Sequence, residues 1–521
     1  MSGKGLCAQL VMELETVTQN QLEGWVAANL QPSPEFSAAV RQTVKHICDF
    51  LKERCFEGIR VLKTVKGGSA GKGTALRNNS DADVVLFVNC FSSYQEQEQE
   101  RARILAIIEN RLYECPPTAS TVTISTPRYK DSRDRPRSLS LTLSSIASGE
   151  SIDVDILPAY DALGQVIQDA PPDSIVYVKL LATGCGPGDF SPSFTELQKN
   201  FVKWRPAKVK DLLRLVKFWY KEMLKPQYPD AKLPPKYALE LLTIYVWEEG
   251  TNRSEDFSMA EGFRTVLELL GRHQDICIYW EKYYFLRDER IGAHLKNQLR
   301  QTRPVILDPA DPTGILGQDK RWDLVATEAA RRCMSLPCIR DARPWNVQPA
   351  RPVTVQVKKL QGISLSRRVS PSTTIWELKG EIEKEWGIPR YQQRLALQQN
   401  PSSYSSVLQD GDSLATHGLF YDTVLLLLHT EPQKMDVLVK DSSNKTNVYT
   451  VRPTDTVKQL KQQIYARQHV PVEQQRLTYE TRELENHHTL EHYSVQPRST
   501  IYLLLRLRGG AGPLPRCFVS S

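Results

Sequence analysis

The sequence predicts a protein of the α+β class with more than one domain. Helical periodicity dominates residues 20–58 and 208–270, whereas strand-like apolar stretches lie at 82–89, 138–145 and 152–157. With 521 residues the chain is too long for one hydrophobic core. Its helices and strands do not alternate regularly, as they do in doubly wound parallel sheets. We therefore expect a mixed sheet with a separate helical lobe, followed by further domains.

Composition and charge narrow the class of protein only slightly. Hydrophobic residues make up 40% of the chain, and its net charge of +7 permits a polyanionic partner without requiring one. The ten cysteines form no Cys-x-x-Cys pair, and no histidine spacing suits zinc, which indicates free thiols in a reducing compartment. The N-terminus lacks the pattern of a secretory signal, and the apolar run at 424–428 is too short to span a membrane. We expect a cytoplasmic protein that is not inserted in a membrane.

A repeat occupies the C-terminal part of the chain. The stretch VTVQVKKL at 353–360 returns as MDVLVKDS, and Val355 and Leu378 recur 82 residues later as Val437 and Leu460. Each copy has the pattern of strand, turn, strand, amphipathic helix and short strands. The sequence predicts two copies of one small domain, at 353–430 and 435–510.

The second copy is similar to ubiquitin throughout, down to LRLRGG at 505–510, so both copies are expected to be β-grasp ubiquitin-like domains. A tail at 511–521 follows Gly510, and conjugation through that glycine would need prior cleavage. Departures from ubiquitin occur at the receptor-binding isoleucine and at two chain-linking lysines, which are Thr478, Arg482 and Pro497 here. The resemblance therefore implies an interaction module with its own protein partners.

Residues 67–88 contain a Gly-Gly-Ser turn followed by two aspartates, Asp81 and Asp83, at the start of an apolar strand. In a strand, residues i and i+2 share one face and lie about 7 Å apart. Carboxylates at that distance repel each other by about 2–3 kcal/mol, so a cation between them is expected. The alternative is that the two acids are solvated and merely begin a strand.

A third acid is available in the strand-like segment SIDVDIL, where Asp153 and Asp155 alternate with apolar residues. If this strand lies beside the first, three carboxylates converge, and hard oxygen ligands of this kind suit Mg²⁺. Two such ions can promote displacement at phosphorus. The pattern alone does not choose between Asp153 and Asp155. The turn sequence GGSAGKGT does not match the phosphate-binding P-loop, because the lysine precedes the last glycine.

A glycine-rich turn that can grip a triphosphate, followed by D-x-D, resembles nucleotidyltransferases of the polymerase β type. Residues 1–345 as a whole are similar to the 2′-5′-oligoadenylate synthetases, through TVKGGSAGKGT, SDADVVLFV, DILPAYDALG, LRLVKFWY, LPPKYALELL and RPVILDPADPTG. With two ubiquitin-like repeats behind this region, the chain is most similar to the synthetase-like branch of that family. The resemblance implies a polymerase β-type core with a helical lobe.

The resemblance also implies the site residues. It assigns metal binding and catalysis, with two Mg²⁺ ions, to Asp81, Asp83 and Asp155, and so selects Asp155 over Asp153. Contacts to ATP are implied for Gly68, Ser69, Lys72, Lys217, Lys236 and Tyr237. Many family members have glutamine where this chain has Lys236, so base contacts there differ.

A basic cluster completes the implied site. Twelve residues, KNFVKWRPAKVK, hold five basic side chains, and the early helix adds three more. Such runs usually form a solvated helix face, but the resemblance implies a surface for double-stranded RNA at Arg41, Lys45, Lys52, Lys66, Lys199, Lys203 and Lys208. In the family, RNA binding brings the third acid into place.

The expected function is synthesis of 2′-5′-linked oligoadenylates from ATP, activated by double-stranded RNA, in antiviral innate immunity. One alternative is a non-enzymatic RNA-binding adaptor that signals through its ubiquitin-like repeats, and another is a polymerase that extends RNA 3′ ends. The family's C-F-K association motif is replaced by Cys338-Ile339-Arg340, so we expect a monomer.

Overall fold

The chain divides into two units, Met1–Arg351 and Pro352–Ser521. The computed structural model describes residues 3–77, 80–112, 114, 122–130, 136–146, 150–168, 170–360, 362–397 and 407–505. Residues 506–510 of the LRLRGG motif and the tail at 511–521 lie outside the described residues. Among the described residues, no helix is long and apolar enough to cross a membrane.

The helices concentrate in the first unit. They are α1 (Gly3–Leu14), α2 (Leu22–Asn29), α3 (Pro34–Glu53), α4 (Gly68–Lys72), α5 (Tyr94–Leu112), α6 (Ser174–Ala182), α7 (Thr195–Lys203), α8 (Ala207–Phe218), α9 (Lys236–Thr251), α10 (Met259–Gly271), α11 (Glu289–Gln298), α12 (Trp322–Ser335), α13 (Ile375–Trp386) and α14 (Val457–Gln468). A π-helical segment, Trp219–Leu224, continues α8. The helical periodicity at 20–58 and 208–270 is thereby confirmed.

The strands form one large sheet and a small two-stranded sheet in the first unit, and one sheet in each repeat. They are β1 (Val61–Lys66), β2 (Ser80–Val88), β3 (Val122–Ile124), β4 (Arg128–Lys130), β5 (Ser138–Ser145), β6 (Ser151–Ala159), β7 (Cys277–Ile278), β8 (Val305–Ile306), β9 (Val353–Lys359), β10 (Ser364–Val369), β11 (Gln393–Leu397), β12 (Thr423–His429), β13 (Met435–Asp441), β14 (Thr446–Val451), β15 (Gln475–Tyr479), β16 (Arg482–Glu483) and β17 (Thr500–Leu505). The three strands expected near 82, 138 and 152 are all present.

The large sheet has the order β1-β2-β6-β5-β3, with β4 also paired to β5. Strands β2 and β6 run parallel, whereas β1 and β5 are antiparallel to their neighbours. Alternate residues of β2 and β6 point into a core closed by α3 and α5; they include Ala82, Val84, Leu86, Ile152, Val154 and Ile156. The opposite face therefore receives the aspartates of both strands.

The helical lobe packs around α9, ten residues of which are buried. Helix α8 packs against α9, and α10 packs against α12. The mixed sheet beside a largely helical lobe confirms the α+β class.

The two repeats adopt the same fold. Their sheets have the equivalent orders β10-β9-β12-β11 and β14-β13-β17-β15, with β16 added to the second. Helices α13 and α14 begin with matching capping boxes at Thr374 and Thr456. Gln393 donates from Nε2 to two backbone carbonyls, one within α13 and one just after it. Gln475 makes the equivalent two bonds to α14 and the residues after it in the second copy. The repeat and its strand–helix pattern are confirmed.

One aromatic side chain joins the two repeats. Tyr391 of the first copy donates its hydroxyl to the Val495 carbonyl of the second at 2.9 Å, and its ring packs against the core of that copy. Trp376 stacks edge-on against the same tyrosine, with ring centroids 5.2 Å apart. The tandem is thus held by a contact as well as by its linker.

Candidate active site

The Gly-Gly-Ser turn joins β1 to the short helix α4 and lies directly over β2. The Gly67 N–H donates to the Asp83 carbonyl at 2.7 Å. Gly68 has a φ of +64°, and a Cβ there would lie 2.9 Å from the Asp83 amide nitrogen. A Cβ on Gly67 would lie 2.4 Å from a methyl group of Thr195. Gly68 is required because the turn approaches the strand that carries the aspartates, and Gly67 is required because the turn also approaches Thr195 of α7.

Asp81 contacts both the turn and the helical lobe. Its Oδ1 accepts from the Ser69 N–H at 3.0 Å, and its Oδ2 lies 2.6 Å from Lys236 Nζ at the start of α9. Burial would raise the pKa of Asp81, but the Lys236 ammonium outweighs burial and holds this pKa well below its usual value. Asp81 is therefore ionised, and its cationic partner in this structure is Lys236.

The parallel register of β2 and β6 pairs Asp83 with Asp155 and Asp81 with Asp153, so all four side chains share one face. Asp155 is buried and accepts from the Ser140 hydroxyl at 2.7 Å. Asp153 accepts from the Thr142 hydroxyl at 2.6 Å and forms a salt bridge of 3.4 Å with Arg128. Each carboxylate of β6 is thus held by a hydroxyl of β5, but only Asp153 pairs with that exposed arginine.

The three candidate ligands supply the oxygen donors that Mg²⁺ prefers, and the lysine at Asp81 shows that this face attracts a cation. Within the described residues, however, Asp81, Asp83 and Asp155 do not form a group whose ligand oxygens all lie within 4.8 Å of one another. The donor set fits the metal, and a local movement is needed to close it.

Lys217 lies at the centre of a buried polar network behind the turn. Its Nζ lies 3.1 Å from Ser69 Oγ, 2.9 Å from Thr74 Oγ1 and 3.0 Å from Glu240 Oε1. Lys72 holds the other oxygen of Glu240 at 2.9 Å. Burial lowers the pKa of Lys217 despite its partner, and the two ammonium groups keep the pKa of Glu240 below its usual value against the effect of burial. The network fixes two candidate ATP-binding lysines.

Tyr237 is half-buried near the start of α9 and contacts polar side chains on both sides. Its hydroxyl donates to Asp308 Oδ1 at 3.2 Å, and Lys72 Nζ lies 4.0 Å from the centre of its ring. Asp308 also accepts from Gln198 Nε2 at 2.6 Å. Burial and the nearby Asp311 carboxyl raise the pKa of Asp308 to about 7. Through these contacts Tyr237 positions Lys72 and the start of α9 behind the turn.

This raised pKa gives a prediction about stability and pH. Because folding raises the pKa of Asp308, its protonated form favours the folded state, and this contribution is lost as pH rises from near 4 through about 7. We expect the unfolding free energy of Asp308→Asn to fall less between pH 5 and 8 than that of the unmodified protein. Denaturant titrations at several pH values measure this, with Asp230→Asn at an exposed carboxyl as control. Parallel pH profiles for all three proteins would contradict it.

A cavity of about 240 Å³ opens beside Asp83. Its lining includes Thr195 and Gln198 from the helical lobe and two arginines, Arg101 and Arg137. The cavity offers polar and cationic groups next to the aspartates, as a nucleotide site requires. Neither arginine stands out in the sequence.

The candidate RNA-binding residues lie on four elements, which are α3, β1, α7 and α8. Arg41, Lys45 and Lys52 are exposed at helical spacing on α3, opposite its buried stripe. Lys66 ends β1. Lys203 is exposed at the end of α7, with Nζ 5.0 Å from the ring centre of the exposed Trp204.

Helix α4 connects this surface to the turn. A Cβ on Gly71 would lie 2.4 Å from the Lys66 carbonyl and 3.7 Å from Lys199 Cδ, so both lysines flank the helix that carries Ser69. Lys208, in contrast, already pairs with Glu23 at 2.8 Å. The basic residues therefore differ in how available they are to a phosphate.

Comparisons with known proteins agree with this geometry. Residues 47–136 match the nucleotidyltransferase domain, and residues 170–353 match the C-terminal domain 2 of 2′-5′-oligoadenylate synthetase 1. Residues 352–427 match the ubiquitin-like domain, and residues 437–508 match the ubiquitin family. The fold and the aspartate-bearing strands thus define a protein with a nucleotidyltransferase domain and two ubiquitin-like domains.

Full-length relatives make the assignment more specific. The chain is 40% identical over 503 residues to 2′-5′-oligoadenylate synthase-like protein 2 of Mus musculus, covering 94% of the chain and 98% of the relative. It is 38% identical over 518 residues to 2′-5′-oligoadenylate synthase-like protein 1 of the same organism, covering 97% and 99%. It is also 43% identical over 335 residues to 2′-5′-oligoadenylate synthase 1A of Rattus norvegicus, covering 63% and 92%. The chain belongs to the 2′-5′-oligoadenylate synthase-like family.

Proposed function

We propose that this protein synthesises 2′-5′-linked oligoadenylates from ATP when double-stranded RNA is bound. The observation that carries the proposal is the placement of Asp81, Asp83 and Asp155 on one sheet face. The glycine turn lies directly over this face, and its two glycines allow the close packing around it. The synthase names of several relatives support the same reaction. A role in antiviral innate immunity, as the family resemblance implies, is part of this proposal.

In the proposed reaction, the 2′ oxygen of the acceptor adenosine attacks the α-phosphorus of ATP. The bond from that phosphorus to the bridging oxygen breaks, and pyrophosphate leaves. Asp81, Asp83 and Asp155 would hold Mg²⁺, which would activate the attacking hydroxyl and neutralise charge on the leaving pyrophosphate. Asp155 assists removal of the hydroxyl proton. The Ser69 hydroxyl, with Lys72 and Lys217 behind it, would orient the triphosphate.

RNA activation follows from the position of the basic surface. Duplex RNA across α3 and α7 would contact the elements on both sides of α4, and α4 carries the Ser69 amide that holds Asp81. We infer that RNA binding shifts α4 and α9, separates Lys236 from Asp81 and lets the three carboxylates close on the metal.

A second function is favoured by the same Lys236–Asp81 pair. With a lysine in contact with Asp81 and the carboxylates not gathered, the chain could act as an RNA-binding adaptor in which the two repeats engage protein partners. The Tyr391 contact supports this because it gives the tandem a defined arrangement.

Product analysis tests the proposal. The protein is incubated with ATP and Mg²⁺, with and without double-stranded RNA, and the products are treated with a nuclease specific for 3′-5′ linkages. We expect RNA-dependent adenylate oligomers that resist this nuclease. Sensitive products would indicate 3′-end polymerisation, and the absence of products despite RNA binding would indicate the adaptor.

Lys236→Gln is expected to lower the metal concentration that the site requires. A charge-assisted hydrogen bond at a partly exposed position contributes about 1–2 kcal/mol, so removing the ammonium should strengthen metal binding about tenfold. Mn²⁺ binding to the RNA-free protein, followed by electron paramagnetic resonance, measures this without ATP. Lys232→Gln, an equal charge change at an exposed lysine, should have no effect. Equal Mn²⁺ affinities for both variants would contradict the prediction.

Charge-reversal variants should distinguish lysines that are available to bind RNA from lysines that already pair with a carboxylate of the protein. Lys203→Glu is expected to weaken duplex RNA binding and to reduce the slope of log affinity against log salt by about one, because one phosphate contact is lost. Lys208→Glu should have a smaller effect, since Glu23 already engages that ammonium. Fluorescence anisotropy with an RNA duplex at several salt concentrations measures both. Equal losses for the two variants would show that Lys208 leaves Glu23 to bind RNA.

A further inference from the structure

The segment between β16 and β17 of the second repeat contains three histidines within six residues, in the sequence ENHHTLEH at 485–492. Glu485 Oε2 lies 3.6 Å from His487 Nε2 and 3.7 Å from His488 Nε2. One ligand atom from each of these three residues lies within 4.8 Å of the other two. Among the described residues, this is the group whose spacing suits a metal ion.

These distances suit a specific class of ion. Tetrahedral zinc with nitrogen and oxygen ligands at 2.0–2.2 Å requires its ligand atoms to be about 3.4 Å apart. The two carboxylate–imidazole distances exceed this value by only a few tenths of an ångström. Two imidazoles and one carboxylate are also the ligands that borderline ions such as Zn²⁺ favour over Mg²⁺.

The backbone that carries the three ligands is well anchored. The Val457 and Lys458 N–H groups at the start of α14 donate to the carbonyls of His488 and Asn486 at 2.9 and 3.1 Å. The Glu485 N–H donates to the Tyr493 hydroxyl at 2.8 Å. The site therefore needs little ordering of the main chain when an ion binds, and only the exposed Glu485 and His487 side chains lose freedom.

A second histidine pair supports His488. Its ring stacks on that of His492, with centroids 3.9 Å apart and an interplanar angle of 6°, and it lies edge-on to Tyr493. The stacking contact places His492 directly beside the proposed ligand His488.

The first repeat shows that the fold itself does not need these ligands. Its Ile375 N–H donates to the Asp412 carbonyl just as Val457 donates to His488, so the two loops are equivalent. In that loop, Gln409, Gly411 and Asp412 stand where the second repeat has Glu485, His487 and His488. The three-ligand set belongs to the second copy alone.

We propose that Glu485, His487 and His488 bind one divalent ion of the borderline class, Zn²⁺ in the first place, with the fourth position taken by water or His492. The ion cross-links residues on the two sides of a turn in the loop before β17. Because it binds the folded domain, its binding stabilises the second ubiquitin-like domain against unfolding. The site is separate from the aspartates of the nucleotidyltransferase domain and takes a different kind of ion.

Titration of the full chain with Zn²⁺ by calorimetry, in millimolar Mg²⁺ to saturate oxygen-rich sites, tests the proposal. We expect His487→Ala to bind one equivalent less than the unmodified protein, or to bind it roughly tenfold or more weakly. His487 is largely exposed, so its loss leaves the core of the domain intact. His469→Asn is the matched control, because that exposed histidine caps α14 in the left-handed conformation that asparagine tolerates.

Co²⁺ provides a second readout, since its visible absorption reports nitrogen ligands and coordination number. The spectrum should be present in the unmodified protein and in His469→Asn but lost in both His487→Ala and His488→Gln. Identical Zn²⁺ stoichiometry and affinity in all four proteins, with no Co²⁺ band that depends on these histidines, would overturn the proposal.

Discussion

Asp83→Ala is expected to lower the rate of nucleotidyl transfer by roughly 10³-fold or more, which corresponds to about 4 kcal/mol of transition-state stabilisation. Asp83 stands beside Asp155 in the parallel register and under the glycine turn, so its carboxylate is the central one of the proposed metal ligands. Removing it deletes a charge from a polar face and leaves the core face of β2 unchanged. The variant should therefore fold and bind RNA normally. Pyrophosphate release with ATP, Mg²⁺ and duplex RNA measures the loss.

The matched control lies two residues before the third acid. Asp153 shares the face of Asp155 but already accepts from Thr142 and pairs with Arg128. Asp153→Asn should therefore retain activity within a few-fold, whereas Asp155→Asn should resemble Asp83→Ala. Full activity in Asp155→Asn together with loss in Asp153→Asn would move the third ligand by two residues. Retained synthesis in Asp83→Ala would contradict the whole assignment.

Lys217→Met is expected to have the largest effect on stability, lowering the unfolding free energy of the first unit by about 3 kcal/mol. The substitution keeps a long side chain in the same buried volume but leaves Glu240 with Lys72 alone and removes a donor from Ser69 and Thr74. Denaturant unfolding of the full chain measures the change. Lys225→Met at an exposed lysine should change stability by less than about 0.5 kcal/mol.

A double-mutant cycle shows whether the loss comes from the pair. Glu240→Gln alone leaves Lys72 and Lys217 buried without their shared carboxylate, so it should also destabilise the unit. The double variant should lose less than the sum of the two single losses, because neither charge is then left without this partner. Strict additivity would show that Lys217 acts through Ser69 and Thr74 rather than through Glu240.

The sequence predicted those parts of the fold and site that depend on local pattern. The repeat offset of 82 residues predicted both ubiquitin-like domains, because each position of the first copy has a counterpart until the loop before its last strand. The D-x-D spacing predicted a shared face for Asp81 and Asp83, since the two-residue period of a strand decides this without knowledge of its neighbours. The choice of Asp155 came from the family resemblance.

The parts of the site that could not be predicted from the sequence depend on contacts between elements that are distant along the chain. Glu240 occurs in a largely apolar helix and has no local signal, yet it joins Lys72 and Lys217 from 168 and 23 residues away. The contact between Lys236 and Asp81 spans 155 residues and could not be predicted from either motif. The histidine spacings match no zinc pattern in the sequence, and the metal site is proposed from the folded loop alone. The proposed ligands Glu485, His487 and His488 follow no helix or hairpin spacing and lie close together because the loop folds back on itself.

The central claim is that Asp81, Asp83 and Asp155 gather divalent cations over bound ATP once duplex RNA has docked. Anomalous diffraction from Mn²⁺ tests it most directly, in crystals of the full chain with duplex RNA and a non-hydrolysable ATP analogue. We predict two ion peaks in contact with the three carboxylates and the triphosphate, with Lys236 Nζ moved away from Asp81. If Lys236 still holds Asp81 and no ion lies among the aspartates although RNA and nucleotide are both bound, the claim is contradicted.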